Sequence, residues 1–213
     1  DGRLLAATRS GFAWLTPSED GSIARTAIVA PEADIPGNRF NDGKRAPDGS
    51  FWAGSMDEAE AAASGAWWRL DPTTGEGTQL ATGYRVTNGP AFDQKRSQVY
   101  LTDSARQTVF VADWIAGGGF DHLRVFKQFG AGDGYPDGME VDADGALWIA
   151  FWDGACLRRF DPDGALIQTV ALPAQRPTSL AFAPEAGRIF VTSASIGLAP
   201  GNAEGALFAF DVG

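Results

Sequence analysis

Between Tyr135 and Pro173 the chain alternates apolar and polar positions in four short runs: GMEVDA, ALWIAFW, CLRRFDP and ALIQTVALP. Period two, with β-branched and aromatic residues, is the pattern of strands with a buried face. The pairs Asp144-Gly145, Asp153-Gly154 and Asp163-Gly164 separate the runs. Asp-Gly between alternating apolar runs signals a tight hairpin, and it predicts type I′ turns with both central residues at positive φ. The stretch reads as one four-stranded antiparallel meander.

The meander recurs. Asn41 opens NDGKRAPDGSFWAGSM and then GAWWRLDPTTGEGTQLATG, with the same order of polar-Gly start, Asp-Gly turn, aromatic strand and R-h-D-P. Asn88 opens NGPAFDQKRSQVYLTDSARQTVFVADW, and Thr178 opens TSLAFAPEAGRIFVTSAS with GALFAFDVG. The starts at 41, 88, 137 and 178 are 47, 49 and 41 residues apart. A four-strand repeat of roughly 40–50 residues marks a β-propeller blade. A β-sandwich has turns as often but would not restart with the same order of sub-motifs. The expected fold is all-β, with about four to five blades of four-stranded antiparallel sheet forming a single domain over 1–213. Residues 1–30 hold LLAAT, GFAWLTP and IARTAIV, the later part of a blade. An incomplete ring leaves long strand edges exposed, so the natural protein is expected to extend further at its N-terminus. Residues 31–40 read as a loop between blades, and Asp57 to Ser64 as a long loop able to hold a helical turn.

Charge narrows the function classes. Seventeen Lys and Arg against 27 Asp and Glu give a net charge of −10, which supplies no footprint for a phosphate backbone, so nucleic acid is not an expected partner. No apolar run approaches the roughly 18 residues a membrane helix needs, and a cytoplasmic protein is expected. Cys156, the single cysteine, reads as a small core residue, and His122, the single histidine, as a surface residue. Without a G-x-S-x-G elbow or a second histidine, Ser-His-Asp hydrolysis is disfavoured. No Cys/His cluster has zinc-finger spacing, and no glycine pattern indicates nucleotide binding. The seven tryptophans fall mostly on strands and read as core between blades, with Trp152 a candidate for the channel mouth.

Repetition gives candidate chemistry a geometry. If each restart residue begins an innermost strand, Asn41, Asn88, Asp137 and Thr178 are expected to ring one mouth of a central channel. Converging Asn and Asp oxygens suit a hard divalent cation. Asn or Asp before Gly is also a plain turn preference, and both readings stand at this point.

These residues carry a resemblance to the gluconolactonase and senescence-marker-protein (regucalcin) family of six-bladed propellers. It rests on N-R-F-N-D-G-K at 38–44, G-S-F-W-A-G-S-M at 49–56, T-N-G-P at 87–90 and Y-L-T-D-S at 100–104. It continues through P-D-G-M at 136–139, L-W-I-A at 147–150 and R-P-T-S at 176–179, in the family's order and spacing. The resemblance implies a hydrolase that opens sugar lactones with one divalent cation (Ca2+, Zn2+, Mg2+ or Mn2+). By position, Asn88 resembles a metal ligand, and Asp137 both a ligand and the general base. Arg39 and Asn41 are similar to substrate-contacting residues, with Asn41 near the metal through water. Glu58, in the loop Asp57-Glu58-Ala59-Glu60, stands where the family places a substrate-binding Glu. The family's ligand Glu from an E-G-P-x-W-type motif has no counterpart here, Glu19 and Glu32 lying outside any such motif, so this ligand is expected from an absent N-terminal segment. A non-catalytic calcium- or ligand-binding propeller is the alternative.

Overall fold

The structure, a computed structural model, describes residues 2–183, 187–199 and 203–211. Its strands form five antiparallel sheets, each made of strands consecutive in the chain. The first joins β1 (Leu4–Thr8), β2 (Gly11–Pro17) and β3 (Ile23–Val29), and the second β4 (Asn38–Arg45), β5 (Phe51–Asp57), β6 (Gly65–Leu70) and β7 (Gly77–Tyr84). The third joins β8 (Thr87–Asp93), β9 (Gln98–Asp103), β10 (Thr108–Trp114) and β11 (Phe120–Gln128), with a 3-10 turn at Ser104–Arg106. The fourth joins β12 (Tyr135–Val141), β13 (Leu147–Trp152), β14 (Cys156–Phe160) and β15 (Leu166–Ala171). The fifth joins β16 (Pro177–Ala183), β17 (Arg188–Ser193) and β18 (Leu207–Asp211).

The four restart residues all lie in the first strand of a sheet: Asn41 in β4, Asn88 in β8, Asp137 in β12 and Thr178 in β16. The middle three sheets have the expected four strands, whereas the first and last show three among the described residues. The turns depart from the type I′ expectation. Positive φ is confined to Gly145 (85°) and Gly164 (84°) in two of them, and to Asp153 (58°) and Ala155 (49°) in the third. The reason is an aspartate three residues before each of the two glycines. Asp142 Oδ1 accepts the N–H groups of Asp144 (2.9 Å) and Ala146 (3.0 Å), and Asp161 Oδ1 those of Asp163 (3.0 Å) and Ala165 (2.8 Å). Such Asx turns need positive φ at the glycine alone. The loop after β5 holds no helix; the Asp57 carboxylate instead gathers the N–H groups of Ala59, Ala61 and Ala62.

The chain divides into two compact units, residues 1–87 with 115–119, and residues 88–114 with 120–213. In the first, Phe12, Phe40, Ala53, Ala66, Trp68 and Leu70 form a core between the first two sheets, with the Phe12 and Phe40 rings 4.6 Å apart. In the second unit β13 is buried on both faces, so its sequence LWIAFW is nearly continuous in apolar character. Leu147, Ile149 and Phe151 join Tyr100, Val109 and Phe160 in one core, while Trp148 and Ala150 join Leu180, Ile189 and Val191 in another. Cys156 is buried in the first of these cores, as expected, and burial pushes its thiol pKa up. No helix among the described residues is long and apolar enough to cross a membrane.

Candidate functional site

In the second unit β12 and β16 are bulged where their restart residues sit. Across β12 and β13, Pro136 pairs with Phe151 and Met139 with Ile149, so Asp137 and Gly138 together face the single residue Ala150. Across β16 and β17, Pro177 pairs with Ser193 and Ser179 with Thr192, leaving Thr178 as the extra residue. A bulge interrupts the ladder and re-aims one side chain. Asp137 is half-buried there. Gly138 behind it is forced by proximity: a Cβ would lie 2.3 Å from Ser179 Oγ, because β16 packs directly against β12. Thr178 turns onto its own sheet, its hydroxyl 2.7 Å from that of Thr192.

Asn88 is buried, 6% exposed, in β8. Its Nδ2 donates to Ser104 Oγ at 2.8 Å, and the Ser104 hydroxyl donates to the carbonyl of Pro136, the residue before Asp137. The strands that carry the two expected metal ligands, 49 residues apart in sequence, are therefore joined through one serine. Gln107 reinforces the link: in the left-handed region (φ 49°), it donates from Nε2 to the carbonyls of Gly134 (2.9 Å) and Gly130 (3.0 Å). Asn88 and Asp137 supply an amide oxygen and a carboxylate, the hard donors that fit a Ca2+- or Mg2+-type cation. Among the described residues no cluster of three or more His, Cys, Asp and Glu accompanies them.

In the first unit Asn41 occupies the corresponding bulge of β4, between Phe40, paired with Ser55, and Asp42, paired with Gly54. Its Oδ1 accepts from Arg39 Nη1 (2.8 Å) and its Nδ2 donates to the Thr87 carbonyl (2.8 Å). Arg39 also reaches the Phe40 carbonyl at 3.1 Å, so its hydrogen-bond partners are neutral. It lines a cleft of about 380 Å³ with Arg9, Glu32 and Asn38. Glu58 is exposed, and its carboxylate is gripped by both Nη atoms of Arg9, whose hydrogen bonds hold its pKa below the usual carboxylate range.

Two residues with defined roles escaped the sequence reading. Ser104 lies inside the Y-L-T-D-S motif, but nothing in the pattern marks a side chain that joins two strands. Glu32, in a stretch read only as a loop, accepts from Ser55 Oγ (2.6 Å), Trp68 Nε1 (2.7 Å) and Asn38 Nδ2 (2.8 Å), tying that loop to β4, β5 and β6. His122 is a surface residue as expected, with Nδ1 2.9 Å from Asp113 Oδ2. Trp152 is half-buried, with the Arg176 guanidinium 4.8 Å above its ring and Arg176 Nε bonded to Asp153 at 2.6 Å.

Five small antiparallel sheets, each made of consecutive strands and three of them broken in register at a polar restart residue, define an all-β propeller chain. Residues 1–195 match the family described as SMP-30/Gluconolactonase/LRE-like region, and the chain belongs to that family. It is 36% identical over 177 residues to the L-arabinolactonase of Azospirillum brasilense, covering 82% of this chain and 58% of that protein. It is 32% identical over 223 residues to a pentonolactonase of Haloferax volcanii, covering 100% of this chain and 74% of that one. Among solved structures, a calcium-binding protein, regucalcin, of Agrobacterium tumefaciens superposes with a TM-score of 0.89 at 27% identity, over 100% of this chain and 73% of that chain. The chain thus spans about three fifths to three quarters of the length of these relatives.

Proposed function

We propose that the protein is a metal-dependent hydrolase that opens sugar lactones, and that Asn88 and Asp137 hold its divalent cation. The observation that carries this reading is the Asn88–Ser104–Pro136 chain of hydrogen bonds, which ties an amide in β8 to the backbone carbonyl just before the bulged Asp137 of β12. The family and the lactonase names of its relatives supply the reaction class. When bound, a divalent cation supplies Lewis acidity toward a lactone carbonyl. Asp137 takes the proton of the attacking water and returns it to the ring oxygen as the C–O bond breaks, giving the hydroxy acid. Ligation lowers the basicity of a carboxylate; the second oxygen of Asp137 leaves one oxygen for the ligand role and one for the proton. Arg39 provides a planar, permanently charged donor for substrate hydroxyls and the carboxylate product. Asn41 and Glu58 complete the substrate contacts, Glu58 by exchanging its Arg9 partner for a sugar hydroxyl. A six-bladed ring, formed as a single domain with residues 1–213 inside it, and a cytoplasmic location belong to the same reading.

Asp137→Ala in the full-length protein is expected to lower kcat/KM on aldonolactones by at least about 100-fold, the usual contribution of a general base, with an unchanged circular dichroism spectrum. Release of acid from a panel of aldonolactones, with and without EDTA, measures this. Retained turnover in the variant removes Asp137 from the mechanism. The calcium-binding relative favours a second reading, a non-catalytic ion- or ligand-binding propeller. Binding of a cation without turnover of any lactone decides for it.

A further inference from the structure

We infer that Ser104 is a positioning residue that sets which end of the Asn88 side chain faces the cation; the inference rests on the reading of Asn88 and Asp137 as ligands. A single proton decides the orientation. The Ser104 hydroxyl has one hydrogen, and it is given to the Pro136 carbonyl. Toward Asn88 the serine oxygen is therefore an acceptor, and only the NH2 end of the amide satisfies it, at 2.8 Å. Because the amide is planar, fixing its nitrogen on Ser104 turns its oxygen to the other side. A hard cation takes an amide oxygen and not an amide NH2, so a flipped Asn88 is not a ligand.

The same hydroxyl acts on the second ligand. Its acceptor is the carbonyl immediately before Asp137, at the start of the bulge where β12 has left its ladder with β13. Ser104 thus holds the residue before the break from outside the sheet. Ser104 is itself well fixed: it is 6% exposed and opens the 3-10 turn that follows β9. One buried hydroxyl thus sets the orientation of an amide and the position of a backbone carbonyl, which is how partners behind a metal's ligands govern affinity.

The test measures binding of Ca2+ and of Mn2+ alone by isothermal titration calorimetry, on the full-length protein and its Ser104→Ala, Ser104→Thr and Asp137→Ala variants. Melting in EDTA is recorded for each. The expected result is a Kd raised about 10- to 100-fold in Ser104→Ala, with a metal-free melting temperature within about 4 °C of wild type. Ser104→Thr, which keeps the hydroxyl, is expected to bind more tightly than Ser104→Ala. If wild type binds, Asp137→Ala does not, and Ser104→Ala binds like wild type, the role of Ser104 is overturned while the ligand assignment stands. Loss of affinity in Ser104→Ala only alongside a large drop in metal-free melting also overturns it, since the serine is then structural. Equal binding by Asp137→Ala and wild type overturns the ligand assignment and this inference with it.

Discussion

Gly138 shows how little space surrounds the proposed base. Any side chain there meets Ser179, with Oγ at 2.3 Å, Cβ at 2.6 Å and Cα at 2.8 Å from the Cβ position. Gly138→Ala is therefore expected to cost about 1–3 kcal/mol by overpacking, read as a lower urea midpoint. Adding Ser179→Gly is expected to recover only part of the loss, because the clash with the backbone of residue 179 remains. Gly89 is constrained twice, by a φ of 90° and by Met139 Cε, 2.8 Å from where its Cβ would be. The sequence made Asn88 and Asp137 legible as candidates because each stands before a glycine at a restart. It left Ser104 without a role, since a hydroxyl that bonds two segments 16 and 32 residues away has no local pattern. The neutral partners of Arg39 and the Arg9 grip on Glu58 were equally out of reach, being set by how strands and loops distant in the chain come together.

Among the elements, the meander from β12 to β15 is clipped by one carboxylate. Asp142 Oδ1 closes the turn after β12, while Oδ2 accepts Trp148 Nε1 from β13 (2.9 Å) and Arg159 Nε from β14 (2.7 Å). Burial pushes its pKa up, but the hydrogen bonds from Arg159, Trp148 and the Ala146 N–H outweigh this and hold it below the usual aspartate value. A depressed folded-state pKa contributes stability above the unfolded value, near about 3.9, which is lost as pH falls through the folded value. Asp142→Asn is expected to be about 1.5–3 kcal/mol less stable at pH 7, the range for hydrogen bonds to a charged group, and to show a shallower loss of stability below about pH 4. Urea unfolding at a series of pH values, followed by tryptophan fluorescence, measures both. The sequence showed this element's strands well, because Trp148 and Arg159 recur as Trp52 and Arg69, which also pair across neighbouring strands. It misread the turns because Asp-Gly fits more than one turn type, and the deciding group, Asp142, lies outside the pair.

For the whole molecule the proposed cation gives a thermodynamic test independent of catalysis. A ligand that binds only the folded state at about 100 times its Kd stabilises by about 2.7 kcal/mol. Saturating divalent cation is expected to raise the melting temperature of the full-length protein, EDTA to reverse the rise, and Asp137→Ala to show neither effect in differential scanning fluorimetry. The propeller class was readable because a repeat announces itself several times over, and each restart lies in the first strand of its own sheet. Asn41, Asp137 and Thr178 also share something that no repeat length reveals: each stands at a break in register with the second strand of its sheet. An odd insertion switches the parity of a strand, so the residue at the break drops out of the inside–outside alternation that the cores impose on the rest. Amide, carboxylate and hydroxyl occupy that one position in three sheets. The break thus uncouples that one position from packing, so the side chain there can be exchanged while the interiors stay as they are.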